Sequence, residues 1–281
     1  MSLPPLRLGC ISFVNVLPVH LHLRPKPELF SLHPDVPSAL NRRLAAGGLD
    51  LAEVSSVEYV RRADDYVILA DLGLSTRGPV GSVLLLSHQP RAAWAGGEIE
   101  APFESETSVA LLRVFLARLW GLDCRVVPEG RAGQAREPMA WLRIGDRAIA
   151  AARSGDYAHV LDLGQVWHDW TSLPLVYALW VARREVAEQR PADLARLHAA
   201  RLAARDRGVA DRDGCAAEAV RRLGGDAGYY RVYFARLRYG LGPEELAGLR
   251  RFYEELAAVG ELARAPELAV WEGKAESLLC E

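Results

Sequence analysis

Leu6 to Ile11 has the apolar character of a buried strand, and it stops at Ser12-Phe13-Val14-Asn15-Val16-Leu17-Pro18. A strand that ends on a serine, then presents an asparagine and a proline ahead of an apolar helix-like run, sets two hydrogen-bonding side chains at its carboxyl end. In open α/β sheets, ligands bind there. The pattern repeats. Leu29 to His33 reads as a second strand, and Pro37 opens a helix through Ala46 that Gly47-Gly48 terminates. Leu49 to Val54 is a third strand, ending at Ser55-Ser56, and a short helix follows through Arg62. Strand, helix, strand, helix, strand with crossover helices predicts an α/β fold on a parallel sheet.

Val67 to Ala70 and Val80 to Ser87 read as further strands, and residues 88–97 break the pattern. Beyond the break, Thr107 to Trp120 is an amphipathic helix with Val109, Leu112, Leu116 and Leu119 on one face. Ser105-Glu106-Thr107-Ser108 supplies its capping hydroxyls. Cys124 to Val127, Ala148 to Ala151 and Val160 to Leu163 are strand candidates. Leu175 to Ala182 is a strand expected to return to the first lobe. The remainder is helical: one helix from Pro191, one over Cys215–Leu223, one near Tyr229–Leu237, and one framed by Pro243 and Gly260. This order predicts a discontinuous lobe (1–87 plus 176–281) and an inserted lobe (88–175). Two crossings make a hinge, and a ligand cleft is expected between the lobes.

The chain's 281 residues suffice for two lobes. Half are hydrophobic and the formal net charge is −2, so no global field points to nucleic acid or a membrane. The basic residues are nearly all arginine, with lysine only at 26 and 274. No window approaches the roughly 18 apolar residues of a membrane span. Met1 to Arg7 lacks the pattern of a secretory signal. Cys10, Cys124, Cys215 and Cys280 are too scattered for a zinc site or a disulfide framework. A cytoplasmic protein, monomeric or homodimeric and without cofactor or metal, is the expectation.

No dinucleotide fingerprint, P-loop, zincin motif or nucleophile elbow is present. His20 and His22 would face different sides of a helix, which disfavours a metal site with His33. Trp167-His168-Asp169-Trp170 either lines a pocket or puts its tryptophans in the core of an amphipathic helix. Single Ser and Thr residues at helix starts are commonly caps. The same hydroxyls beside free backbone N–H groups also make anion sites. Four such turns, at Ser12, Ser55-Ser56, Ser82 and Ser105 to Ser108, point to a small polar ligand. Asn15 is hard to read as a cap. Gly78-Pro79-Val80-Gly81 is a tight entry to a strand that aims Ser82, and the adjacent Arg77 is either solvated or a carboxylate partner. Asp146, between apolar segments, is either a ligand-facing carboxylate or a plain turn residue. No carboxylate pair has the spacing of an acid/base couple.

These stretches together carry a resemblance. Ser12 to Pro18, Gly48 to Tyr59, Gly78 to Val83, Ser105 to Leu112, Ile144-Gly145-Asp146, Asp162-Leu163-Gly164 and Trp167 to Pro174 occur in an order similar to that of the chorismate dehydratases of the futalosine-dependent menaquinone pathway. Each motif is weak alone; the ordered set covers nearly the whole chain. Two departures are Phe13-Val14 ahead of the asparagine, and Thr171-Ser172-Leu173-Pro174 where the family has Thr-Gly-Leu-Pro. Both touch packing more than chemistry.

The resemblance implies a two-lobed periplasmic-binding-protein-like (type II) α/β fold. It implies a hydro-lyase that removes water from chorismate to give 3-[(1-carboxyvinyl)oxy]benzoate. Asn15 and Ser82 are the expected catalytic contacts. Ser12, Ser55, Ser56, Ser105, Thr107, Ser108, Asp146 and Trp167 are expected substrate-binding residues, with Thr107 and Ser108 on a carboxylate. Elimination takes the ring proton beside the enol-ether oxygen and the neighbouring hydroxyl, and aromatisation drives it. With no evident base, either the substrate's own enolpyruvyl carboxylate or Asp146 accepts the proton. The alternatives are a solute-binding protein for a small carboxylate, and the sister enzyme acting on cyclic dehypoxanthine futalosine.

Overall fold

A computed structural model describes residues 3–102, 105–130 and 137–273; Cys280 lies outside the described residues. The chain opens with β1 (Leu6–Ile11), a 3-10 turn (Val14–Val16) and α1 (Leu17–His20). β2 (Phe30–Asp35), α2 (Pro37–Ala45), β3 (Leu51–Ser55), α3 (Ser56–Arg61) and β4 (Tyr66–Thr76) follow. β5 (Val83–Ser87), β6 (Glu98–Ala101), α4 (Glu106–Val114), β7 (Arg125–Pro128), β8 (Ala140–Ile144), α5 (Gly145–Ser154), β9 (His159–Asp162) and α6 (Leu163–Thr171) come next. The last stretch holds β10 (Leu175–Arg183), α7 (Arg184–Gln189), α8 (Pro191–Ala210), α9 (Arg212–Leu223), α10 (Ala227–Arg236), β11 (Leu237–Arg238), α11 (Pro243–Ala258) and β12 (Val270–Trp271).

Two sheets result, one in each of two compact units. The first has strand order β11-β4-β10-β3-β1-β2, with β12 pairing parallel to β4. β1 runs parallel to β2 and β3, as crossover helices require. β10 enters antiparallel beside β3, so the sheet is mixed rather than wholly parallel. The second sheet has the order β7-β6-β8-β5-β9.

The units are residues 1–75, 176–242 and 266–281, and residues 76–175 with 243–265. This differs from the expected lobes at two places. β5 pairs antiparallel with β8 and β9, so residues 83–87 belong to the second sheet. α11 joins the second unit because Trp167 packs edge-on against Phe252 at 5.9 Å and Arg118 reaches Glu255 at 3.2 Å. Gly248 lets that helix lie on the backbone at Pro174, whose carbonyl oxygen is 2.0 Å from where a Cβ would stand.

Ala148 to Ala151 is helix rather than strand. Gly145, at φ 54°, turns the chain out of β8; Ala148 and Ile149 are buried in α5, and Ala148 clusters with Leu84 and Leu86. A short alanine-rich run carries no decisive period. β6 and β8 escaped the sequence reading because four or five residues that alternate with Glu100 and Arg143 look like loop. The amphipathic helix from Glu106 passes at Phe115 into a π-helical segment, Phe115–Trp120, closed by Gly121 at φ 60°.

Candidate active site

β1 sits between β2 and β3, and its carboxyl end delivers Ser12 to Pro18. Ser12 is exposed. Asn15 is half-buried in the 3-10 turn, with Val14 and Val16 packed inward on either side. Its backbone carbonyl accepts from the Tyr239 hydroxyl at 2.8 Å. Its side-chain Oδ1 is buried and has no partner among the described residues. The turn therefore fixes the backbone of Asn15 and leaves its side-chain carbonyl uncommitted. Such an orphaned acceptor costs folding energy and is expected at a functional position.

Ser55 and Ser56 close β3, but they differ. The Ser55 hydroxyl caps α3 by accepting from Glu58 N at 3.1 Å and also accepts from Asn41 Nδ2 at 3.2 Å. That hydroxyl accepts twice from within the protein, so its oxygen holds the start of α3 and only its O–H is left to donate. Ser56 is wholly buried and has a partner within the protein.

A group the sequence reading passed over lies on the same sheet end. Glu53 interrupts the apolar run Leu51-Ala52-Glu53-Val54 and is 1% exposed. Burial pushes its carboxyl up to about 7, although the Arg201 charge and an Ile11 backbone hydrogen bond pull it down. His20 Nε2 is 3.4 Å from Glu53 Oε2, outside hydrogen-bond geometry. Arg201, fully buried in α8, donates from Nη1 to His20 Nδ1 at 3.1 Å. A guanidinium only donates, so Nδ1 must accept and the ring proton sits on Nε2, toward Glu53. Burial, with Arg201 and Arg222 adding repulsion, holds the imidazolium well below its ordinary range. The guanidinium carbon lies 3.8 Å from the centroid of the Trp180 ring. A carboxylate inside a buried strand was the available signal.

The two neighbouring histidines named from the sequence are paired elsewhere. His22 bonds Asp211 at 2.8 Å, and His33 bonds Ser31 at 3.0 Å and Arg43 at 3.1 Å.

In the second unit, Asp162 organises the strand-end turns. Its carboxylate accepts from Val80 N at 3.0 Å and Gly81 N at 2.6 Å, and from Gly164 N and Gln165 N at the start of α6. It thereby ties the Gly78–Gly81 turn, with Gly78 at φ 102° and Gly81 at φ 74°, to a helix N-terminus. Burial raises the Asp162 carboxyl, against those four N–H donors. Ser82 follows, 2% exposed and with a partner of its own. Its backbone carbonyl accepts from Gly145 N at 2.8 Å, which brings Asp146 in the first turn of α5 to the same sheet end.

Ser105 caps α4 by accepting from Ser108 N at 3.4 Å, and the two hydroxyls are 2.8 Å apart. Thr107 and Ser108 are each 1% exposed in the first turn of that helix. Trp167 is not a pocket wall. It is fully buried, its indole N–H donates to Pro174 O at 3.2 Å, and its ring packs on Trp170 and Phe252. Arg77 pairs with Glu244 at 3.1 Å. Among the described residues no helix is long and apolar enough to cross a membrane.

The geometry thus ties Asn15 to Tyr239, and gathers Glu53, His20 and Arg201, in the first unit. It groups Ser82 with Asp162 and Asp146, and Ser105 with Thr107 and Ser108, in the second. Known proteins provide the comparison. The menaquinone-biosynthesis family profile matches residues 6–258. A chorismate dehydratase from Thermus thermophilus is 35% identical over 276 residues, covering 90% of this chain and 95% of its own. A 1,4-dihydroxy-6-naphtoate synthase from the same organism is 29% identical over 63% of this chain and 64% of its own. The periplasmic aliphatic sulphonate binding protein of Escherichia coli superposes with a TM-score of 0.63 at 19% identity, over 97% of this chain and 95% of its own, which shows the periplasmic-binding-protein fold. The chain belongs to the menaquinone-biosynthesis family, in which it is similar to a chorismate dehydratase along nearly its whole length.

Proposed function

We propose that the protein is a chorismate dehydratase, a carbon–oxygen hydro-lyase of the cytoplasm that forms 3-[(1-carboxyvinyl)oxy]benzoate and water. In the reaction the ring C–H bond beside the enol-ether oxygen and the neighbouring C–O bond break. The C–H electron pair completes the aromatic ring, the C–O pair departs with hydroxide, and the proton and hydroxide leave as water. No electrons are gained or lost overall. The catalytic task is to orient the ring, hold two carboxylates and assist hydroxide departure.

The inventory suits that task. Asn15 offers an amide on a fixed backbone, and its uncommitted Oδ1 is the observation that carries the reading. Ser82 follows a turn held by Asp162. Thr107 and Ser108 stand at the start of α4 and carry hydroxyls suited to a carboxylate. Ser12 and Ser56, with Ser105 behind Ser108, fill out the polar sheet ends. The substrate's enolpyruvyl carboxylate serves as base, with Asp146 as the rival.

The sister reaction on cyclic dehypoxanthine futalosine is less favoured, because the likeness to the naphtoate synthase is both weaker and shorter. Two ultraviolet assays test the proposal. Chorismate should give an aromatic product, and an analogue lacking the enolpyruvyl carboxylate should not turn over. Full-rate dehydration of the analogue would remove the substrate-assisted step and return Asp146 as base.

A further inference from the structure

The first unit buries a carboxylate, an imidazole and a guanidinium that no step of the proposed reaction touches. Arg201 is wholly buried, and its Nε and Nη2 have no partner among the described residues. Glu53 Oε2 and His20 Nε2 face each other at 3.4 Å without a hydrogen bond. With Asn15 Oδ1, these are five buried polar atoms without hydrogen bonds on one sheet end. A buried charge cluster is weak evidence for stability, because desolvation opposes the attraction within it. Its presence calls for another role. The cluster is too enclosed to receive a ligand the size of the proposed substrate, with Glu53 at 1% and Arg201 at 0% exposure.

Its connections run to Asn15 instead. Glu53 accepts from the backbone of Ile11, the last residue of β1 and four positions before Asn15. Its charge is felt at Tyr239, whose hydroxyl holds the Asn15 carbonyl at 2.8 Å. His20 closes α1, the helix into which the Asn15 turn feeds.

We propose that Glu53, His20 and Arg201 are positioning residues that set the placement of the Asn15 side chain through Ile11, Tyr239 and α1. The inference rests on the reading of Asn15 as a substrate contact. Ionised Glu53 balances Arg201 and holds the Ile11 amide. Protonated Glu53 leaves the guanidinium uncompensated and weakens its hold on the Ile11 amide. The groups facing Glu53 and His20 are Arg201 from α8, Cys10 and the Ile11 amide from β1, Trp180 from β10 and Tyr239 beyond β11, with the Arg222 charge of α9 also felt at His20. Cys10 stays neutral, its thiol pushed up to about 12 by burial, so Glu53 is the group that changes charge near neutrality.

The chain offers a direct reporter, since Asn15 and Asn41 are its asparagines. Protein labelled with 15N-asparagine gives one side-chain amide pair for each, assigned with Asn41→Ala or Asn15→Ala. Between pH 5.5 and 8.5 the Asn15 pair should titrate with a midpoint near 7 in the wild type and stay flat in Glu53→Gln. With chorismate, kcat should rise with pH through the same midpoint. In Glu53→Gln that limb should vanish, with kcat down roughly 10-fold and KM within about twofold. Should Glu53→Gln not fold, Tyr239→Phe provides the reading: a weakened Asn15 titration and a lower kcat at similar KM. A flat Asn15 pair in the wild type, or an unchanged titration in Glu53→Gln and Tyr239→Phe, overturns the inference. If chorismate is not turned over while the Asn15 pair behaves as stated, the proposed function fails and the positioning network stands.

Discussion

Replacing Gly208 by alanine strikes the support of the Asn15 turn from behind. Gly208 lies near the carboxyl end of α8, and a Cβ there would stand 1.9 Å from the carbonyl oxygen of Pro18 and 2.6 Å from its carbonyl carbon. Ordinary carbon-to-oxygen contacts are about 3.3 Å or more, so α1 and α8 must part by roughly 1.4 Å. The obstacle is backbone, which no rotamer change relieves. Overpacking of this kind costs ~1–3 kcal/mol, and a backbone clash falls toward the upper end. Alanine returns about 1 kcal/mol through its better helix propensity. The net expectation is about 1–2 kcal/mol of destabilisation, which lowers Tm by roughly 2–8 °C. Pro18 is three residues after Asn15, so the same displacement moves the proposed catalytic amide. A shift near 1 Å at such a group costs up to about 10²-fold in rate. Scanning calorimetry and steady-state dehydration of chorismate measure the two effects. A Tm that rises, as for an unhindered helical Gly→Ala, or a kcat equal to wild type would refute the reasoning.

Further outcomes follow from the same contacts. Asn15→Ala should cut kcat about 10²–10³-fold with little change in Tm, as for loss of one preorganised polar contact; a kcat within twofold of wild type would remove Asn15 from the chemistry. Trp167→Phe should lose about 1–3 kcal/mol in urea unfolding, because Pro174 O loses its donor, and leave KM for chorismate unchanged; a large rise in KM would restore Trp167 to the substrate. Asp162→Asn replaces a charged acceptor of four backbone N–H groups and should cost at least ~1.5–3 kcal/mol, read from the urea midpoint. The Glu53 carboxyl titrates at about 7 folded against 4.5 unfolded, so the folded protein holds the extra proton between those values. Its contribution to stability is therefore full below pH 4.5 and lost as pH rises through about 7. The wild-type-minus-Glu53→Gln difference should fall by about 3 kcal/mol over that window, and a flat difference would contradict the assignment.

Much of the frame was legible from local signals. β1, the hydroxyl turns, Pro37 at the start of α2, and Pro243 with Gly260 around α11 each declare themselves through caps and breakers. What failed depended on tertiary pairing. Val83 to Ser87 reads as one more strand of the opening run, and nothing local says that its partners are Ala140 to Ile144 and His159 to Asp162. Ala148 to Ala151 has no period to separate strand from helix. At the site, Ser55 and Ser105 are helix caps, as their places in the sequence suggest, whereas Ser12 and Ser82 are not. The sequence could not tell Ser55, whose oxygen is spent on Glu58 and Asn41, from positions with other duties. Trp167 was ambiguous between wall and core for the same reason. Glu53 stood in plain view in a buried strand, yet its partners come from residues 20 and 201, which only folding brings together.

The central claim is tested most directly by incubating the purified protein with chorismate and, separately, with cyclic dehypoxanthine futalosine, and following each by proton NMR. The account predicts conversion of chorismate to 3-[(1-carboxyvinyl)oxy]benzoate, abolished or nearly so in Asn15→Ala, and no change in the futalosine derivative. Chorismate left intact by the folded protein, or turnover of the futalosine derivative instead, would contradict it.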